Sequence, residues 1–79
     1  MKIKVLAFGI AKDIFGGTSI SIETNGNTTL DLKTSLEEQY PRLKELRSYM
    51  LAVNNEYALD DEILAETDEI ALIPPVSGG

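Results

Sequence analysis

Thr24-Asn25-Gly26-Asn27-Thr28-Thr29-Leu30-Asp31-Leu32 is the stretch on which the architecture turns. Its first four residues are turn formers, and Thr28 is followed three residues later by Asp31, the spacing of a capping box. In that device a hydroxyl and a carboxylate satisfy the free backbone N–H groups at the start of a helix. Leu32, Leu36 and Tyr40 then recur every fourth residue, which predicts an amphipathic helix with one apolar stripe. Pro41 ends it, because the residue before a proline avoids helical geometry. Leu43 and Leu46 are expected to carry the apolar contact on through an irregular turn.

Upstream, Lys2 to Phe8 alternates, with Ile3, Val5 and Ala7 on one face and Lys2, Lys4, Leu6 and Phe8 on the other. Gly9 and the pair Gly16-Gly17 bracket a connection, and Thr18 to Glu23 alternates again through Ile20 and Ile22. The two strands are predicted to form a hairpin. Downstream, Met50 to Val53 is a short apolar strand and Asn54-Asn55 suits the left-handed geometry of a tight turn. A strand over Glu56 to Leu59 follows, then a polar connection with one apolar anchor over Asp60 to Glu66, then a last strand over Glu69 to Ile73. Pro74-Pro75 stops the pairing, since neither residue has an N–H to donate. Strand, strand, helix, strand, strand, strand is an α+β order, with one main helix across one face of a mixed sheet of about five strands. Neither an internal repeat nor a low-complexity segment interrupts it.

The chain has 79 residues, 43% of them hydrophobic and 25% charged, an ordinary composition for one small domain. A chain of this size buries roughly 60% of its unfolded surface, enough for one modest core and too little for a deep active-site cavity. Cysteine, histidine and tryptophan are absent. Thiol nucleophiles, disulfides, zinc sites with sulfur or nitrogen ligands and histidine triads are therefore excluded. Lys2 and Lys4 before the apolar run Val5 to Ala11 resemble a signal peptide. The run is short, lacks a cleavage site and is followed at once by Lys12 and Asp13, so a cytoplasmic protein is expected.

Charge is distributed unevenly. Residues 1–50 carry all seven basic groups against six acidic ones, whereas residues 51–79 carry seven acidic groups and no basic one. Nucleic acid and membrane are not expected as partners, because phosphate neutralisation needs clustered Lys and Arg. A basic protein surface suits the acidic third.

The C-terminal tail, residues 74–79, is the feature that folding does not require. Pro74 and Pro75 stiffen its base, Val76 and Ser77 follow, and Gly78 and Gly79 lack Cβ atoms, so a carboxylate is presented on a thin tip able to thread a narrow channel. A partner enzyme could bring the Gly79 carboxylate against the α-phosphate of a nucleotide, forming an acyl adenylate that another nucleophile displaces. A frayed terminus is the alternative.

Ile73-Pro74-Pro75-Val76-Ser77-Gly78-Gly79, preceded by Asp68-Glu69-Ile70-Ala71-Leu72, resembles the C-terminal signature of the MoaD family, the small subunits of molybdopterin synthase. Lys4-Val5-Leu6-Ala7-Phe8, Ala52-Val53-Asn54 and the helix beginning near Thr28 extend the resemblance over essentially the whole chain. The resemblance implies a ubiquitin-like β-grasp fold in a single domain over residues 1–79. It implies that the terminal glycine is adenylated by an E1-like enzyme using ATP, is converted to a thiocarboxylate, and delivers sulfur to cyclic pyranopterin monophosphate in the active site of the large subunit. The chain itself then binds no cofactor and is the sulfur-donating, non-catalytic subunit, with the catalytic residues in its partner. Family members often have Arg-Glu where this chain has Lys12-Asp13, which keeps the charge and loses the guanidinium fork of a partner contact. They also often have Gly-Asp where it has Thr67-Asp68, a change confined to a turn.

Leu6 and Phe8 lie opposite Ile3 and Val5, and a one-helix fold leaves one sheet face uncovered, so these two residues are expected in an apolar patch that docks a partner. The acidic pairs Glu37-Glu38, Asp60-Asp61 and Asp68-Glu69 lack calcium-loop spacing and read as solvated faces. Gly16-Gly17 lacks the Lys-Ser/Thr that follows a phosphate loop. Three other functions remain open on sequence: a carrier for thiamine thiazole formation or tRNA thiolation, a ubiquitin-like protein modifier, and an interaction module with an inert tail.

Overall fold

The computed structural model describes residues 1–46 and 48–74. Alternation in the opening residues becomes β1 (Lys2–Ala7), whose Ile3, Val5 and Ala7 are buried while Lys2, Lys4 and the following Phe8 stay exposed. It pairs antiparallel with β2 (Ser19–Glu23), in the register Ile3 to Ile22 and Val5 to Ile20. The connection between them, to which the sequence reading assigned no element, contains a short helix, α1 (Ile10–Phe15). Six residues are too few to give a periodic signal or to be stable alone. Tertiary contacts hold α1 instead: Ala11 and Phe15, four apart, are buried, and the Phe15 ring lies 4.8 Å from the Tyr40 ring. Gly16, at φ 77°, ends it in the left-handed conformation that glycine adopts without steric cost.

The predicted capping box is present. The Asp31 N–H donates to Thr28 Oγ1 at 3.2 Å, the Thr28 N–H donates to Asp31 Oδ2 at 3.2 Å, and α2 (Thr29–Gln39) begins there. Leu32 and Leu36 are fully buried against the sheet and Tyr40 closes the helix, after which Pro41–Glu45 forms a 3-10 turn that buries Leu43. Tyr49 ties the next segment to α2, its hydroxyl donating to the Glu37 carboxylate. Burial, and after it this bond to Glu37, push the Tyr49 hydroxyl above the usual tyrosine range, so it remains a donor.

β3 (Met50–Val53) turns back through Asn54 and Asn55, at φ 52° and 72°, into β4 (Glu56–Tyr57). Two positive φ values in succession match the primed hairpin turn that asparagine tolerates. β4 is two residues shorter than expected because the chain leaves the sheet after Tyr57 to reach the start of α2. β5 (Ile70–Ile73) completes the sheet in the order β2-β1-β5-β3-β4, parallel to β1 and antiparallel to β3. One helix across a five-stranded mixed sheet of this order is the ubiquitin-like β-grasp arrangement. The core consists of Ile3, Val5, Ile22, Leu32, Leu36, Leu43, Leu51, Ile70, Leu72 and their neighbours between α2 and one sheet face. Leu64 is the apolar anchor of the long connection. Among the described residues no helix is long and apolar enough to cross a membrane.

Thr28→Ala removes the cap and is expected to lower stability by about 1 kcal/mol. Urea unfolding should show a lower midpoint at unchanged slope. An unchanged midpoint would mean that the capping box contributes nothing to the fold.

Candidate functional site

β5 alternates in the same way as β1: Ile70 and Leu72 enter the core, so Ala71 and Ile73 point to the face that α2 does not cover. The register carries one row of side chains over that face from edge to edge. Leu6 stands opposite Ser19 on one side and Ala71 on the other, Ala71 opposite Ala52, and Ala52 opposite Tyr57. Met50 opposite Ile73 begins a second row. Phe8 and Met50 are each 47% exposed and Tyr57 63%. Two alanines between larger side chains give this face a shallow floor with apolar walls.

Three predicted partner-binding residues converge at one end of it. Leu6, Phe8 and Lys12 line a cleft of about 420 Å³ together with Lys4, Ala7, Thr18 and Ser19. α1 brings Lys12 there, with its side chain exposed. A second cleft, of about 250 Å³, lies between Lys4 and Leu6 on one side and Glu66, Thr67, Asp68 and Glu69 on the other. Lys4 lines both clefts and stands next to the Val5–Ile70 pair, at the end bordered by Glu66, Asp68 and Glu69, whereas Lys12 lies at the end with Phe8. A partner seated on the face meets carboxylates at one end and Lys12 at the other.

Ile73 and Pro74 end the described chain beside this lysine-bearing end. β5 runs parallel to β1, so its last residue emerges near Phe8 and Gly9. Gly9 has φ 56°, and a Cβ placed on it would lie 3.2 Å from Pro74 Cγ, so the base of the tail packs closely over a position without a side chain. Pro74 is half-buried. The other predicted tail residues, Pro75, Val76, Ser77, Gly78 and Gly79, lie outside the described residues.

The turn that starts β5 is fixed by a polar clasp. Asn54 Nδ2 donates to Asp68 Oδ1 at 3.1 Å, the Glu69 N–H donates to Asn54 Oδ1 at 2.9 Å, and the Asn54 N–H donates to the Glu69 carbonyl at 2.8 Å. The Ala65 N–H donates to Asp68 Oδ2 at 2.9 Å. That backbone bond, and after it the Asn54 amide, hold the Asp68 carboxyl below the usual carboxylate range. Sequence reading placed Lys4 on the face with Leu6 and Phe8, but did not reach this clasp, nor Met50, Ala52, Tyr57 and Ala71 as parts of the face. The off-core phase of β3 and β5 was the available signal. Among the described residues there is no cluster of three or more carboxylates able to hold a metal.

The profile of the ThiS family matches residues 5–79. The molybdopterin synthase sulfur carrier subunit of Arabidopsis thaliana is 40% identical over 81 residues, covering 100% of this chain and 84% of the plant protein. Small archaeal modifier protein 1 of Methanosarcina acetivorans superposes with a TM-score of 0.81 at 25% identity, covering 99% of this chain and 96% of the archaeal one. A chain from the complex of subunits 1 and 2 of the molybdopterin-converting factor of Helicobacter pylori superposes with a TM-score of 0.70 at 28% identity, covering 100% of both.

A folded-state carboxyl held low means that folding favours the deprotonated form of Asp68. Its contribution is present above the unfolded value of about 4 and is lost as pH falls through the folded one. Asp68→Asn should therefore flatten the acid limb of the stability profile relative to the parent chain. Identical acid limbs would show that the clasp does not discriminate between the protonation states.

Proposed function

The chain belongs to the ThiS family, and from that premise we propose that it is the sulfur carrier subunit of a molybdopterin synthase. One observation carries this reading: the strand that ends in the Gly-Gly tail leaves the sheet beside the cleft of Leu6, Phe8 and Lys12, so a partner seated on that face receives the tail. The named relative, matched over the full length of this chain, supplies the pathway.

In this proposal the Gly79 carboxylate attacks the α-phosphorus of ATP in an E1-like enzyme. Pyrophosphate leaves, and the acyl adenylate carries an electrophilic carbonyl. Hydrosulfide attacks that carbonyl, the bond to the AMP oxygen breaks, and loss of the S–H proton leaves a thiocarboxylate. Within the large subunit that sulfur is donated to cyclic pyranopterin monophosphate, and water returns the carboxylate. General acid and base groups belong to the partner, which fits a chain without histidine or cysteine. The complex of subunits 1 and 2 from Helicobacter pylori supports a large-subunit partner of this kind.

Fixing the backbone of four residues costs roughly 4 to 8 kcal/mol, so the tail alone binds poorly. Burying a phenylalanine contributes about 1.5 to 3 kcal/mol, and the open face offers several apolar side chains besides. The resemblance to an archaeal modifier protein favours one competing reading, conjugation to lysines. A conjugate ladder from a tagged chain in lysate would support it, whereas one partner of fixed size supports the synthase.

Tandem mass spectrometry after incubation with the adenylating enzyme, ATP and a sulfur source should place an oxygen-to-sulfur exchange on Gly79. Sulfur found on any other residue would overturn the mechanism. A chain extended by one residue beyond Gly79 should keep its stability within about half a kcal/mol and lose activity. Phe8→Ala should raise the dissociation constant for the large subunit roughly tenfold or more, equivalent to about 1.4 kcal/mol, without unfolding the domain. A Phe8→Ala protein that binds normally would move the docking face elsewhere.

A further inference from the structure

Three large apolar side chains stand exposed away from the open sheet face: Leu30 at 51%, Leu59 at 71% and Ile63 at 68%. The backbone gathers their positions at the first turn of α2. The Leu30 N–H donates to the Asp60 carbonyl at 2.9 Å, the Thr29 N–H to the Glu62 carbonyl at 3.0 Å, and Thr29 Oγ1 to the Leu59 carbonyl. A bridge pairs Thr28 with Ile63, and the Leu64 N–H donates to the Asn27 carbonyl while the Leu64 side chain is buried. Leu59 and Ile63 are thus held outward by a hydrogen-bonded frame whose inward anchor is Leu64, which is not the behaviour of a frayed loop.

The rim is acidic. Asp60, Asp61 and Glu62 lie between the two exposed residues of the segment, with Lys33 pairing Asp60 at 3.0 Å. Neither Asp61 nor Glu62 takes part in an ion pair among the described residues. The location is also distinct. β1 starts where Met1 meets Thr24, the chain goes from there to Thr28, and the tail leaves from the other end of the parallel β1–β5 pair.

We propose that the N-terminal turn of α2 and residues 59–63 form a second docking surface, for a protein segment with an apolar centre flanked by Lys or Arg. Charge complementarity selects this occupant. A second copy of the chain would bring the same carboxylates and a net charge of −6 against them. Because the frame fixes Leu59 and Ile63 beforehand, little order has to be imposed on this side when the partner binds. A protein held here leaves the Phe8 and Pro74 end uncovered, so the carrier can be retained by one surface while the other end is used.

The test is an NMR titration of the isotope-labelled full chain with an amphipathic helical peptide of leucines and lysines, against a matched peptide of leucines and glutamates. Shifts should centre on the amides of Leu30 and residues 59–63, appear with the lysine peptide alone, and weaken several-fold between about 50 and 500 mM salt. Leu59→Ser with Ile63→Ser should reduce affinity roughly tenfold with an unchanged spectrum elsewhere. Asp61→Lys with Glu62→Lys, which leaves the apolar residues in place, should do the same. Shifts centred on Leu6, Phe8, Met50 and Tyr57, binding of both peptides alike, or binding that neither double variant weakens would overturn the proposal.

Discussion

The parallel pairing of β1 with β5 is the constraint on which the rest depends. Val5 stands beside Ile70, Leu6 beside Ala71 and Ala7 beside Leu72, so the last strand lies at the centre of the sheet with its hydrogen-bonding edges taken by β1 and β3. Ile70 and Leu72 meet α2 on one face while Ala71 and Ile73 floor the other. A strand held on both edges and one face is a rigid base, and it fixes where Ile73 and Pro74 leave the sheet. The Asn54 and Asp68 clasp sets the other end of β5, so both the register and the exit point are fixed.

Much of this was legible in the residues. Alternation gave β1 and β2, the Thr28 and Asp31 spacing gave the start of α2, Pro41 its end, and Asn54-Asn55 the tight turn. Each of those is a local signal with a local physical cause. What was not legible was set by long-range contact. α1 is six residues long and exists because Ala11 and Phe15 reach the core and the Tyr40 ring, partners remote in sequence. The shortening of β4 follows from Leu59 and Asp60 bonding the first turn of α2, and nothing in Glu56 to Leu59 announces it.

The site was legible in kind and incomplete in extent. Leu6 and Phe8 follow from the phase of β1, and Lys12 joins them only because α1 forms. The acidic character of the C-terminal third is real in the sequence, yet the fold divides it. Glu66, Asp68 and Glu69 border one end of the open face with Lys4 among them, Asp60, Asp61 and Glu62 sit by the helix, and Lys12 of the first helix lies at the end with Phe8. Net charge describes solubility and encounter; the local sign that a partner meets is decided by topology.

Placing the last strand in the middle of the sheet also has a consequence for biosynthesis. Val5 and Ile70 are 65 positions apart, so the central ladder closes only when nearly the whole chain is available. Closing such a distant pair makes folding slower than a local meander would allow. A nascent chain still missing β5 exposes the inner edges of β1 and β3, an invitation to aggregate rather than a partly working product. Completion of the sheet and placement of Ile73 and Pro74, where β5 leaves it, are thereby tied to the same late step of folding.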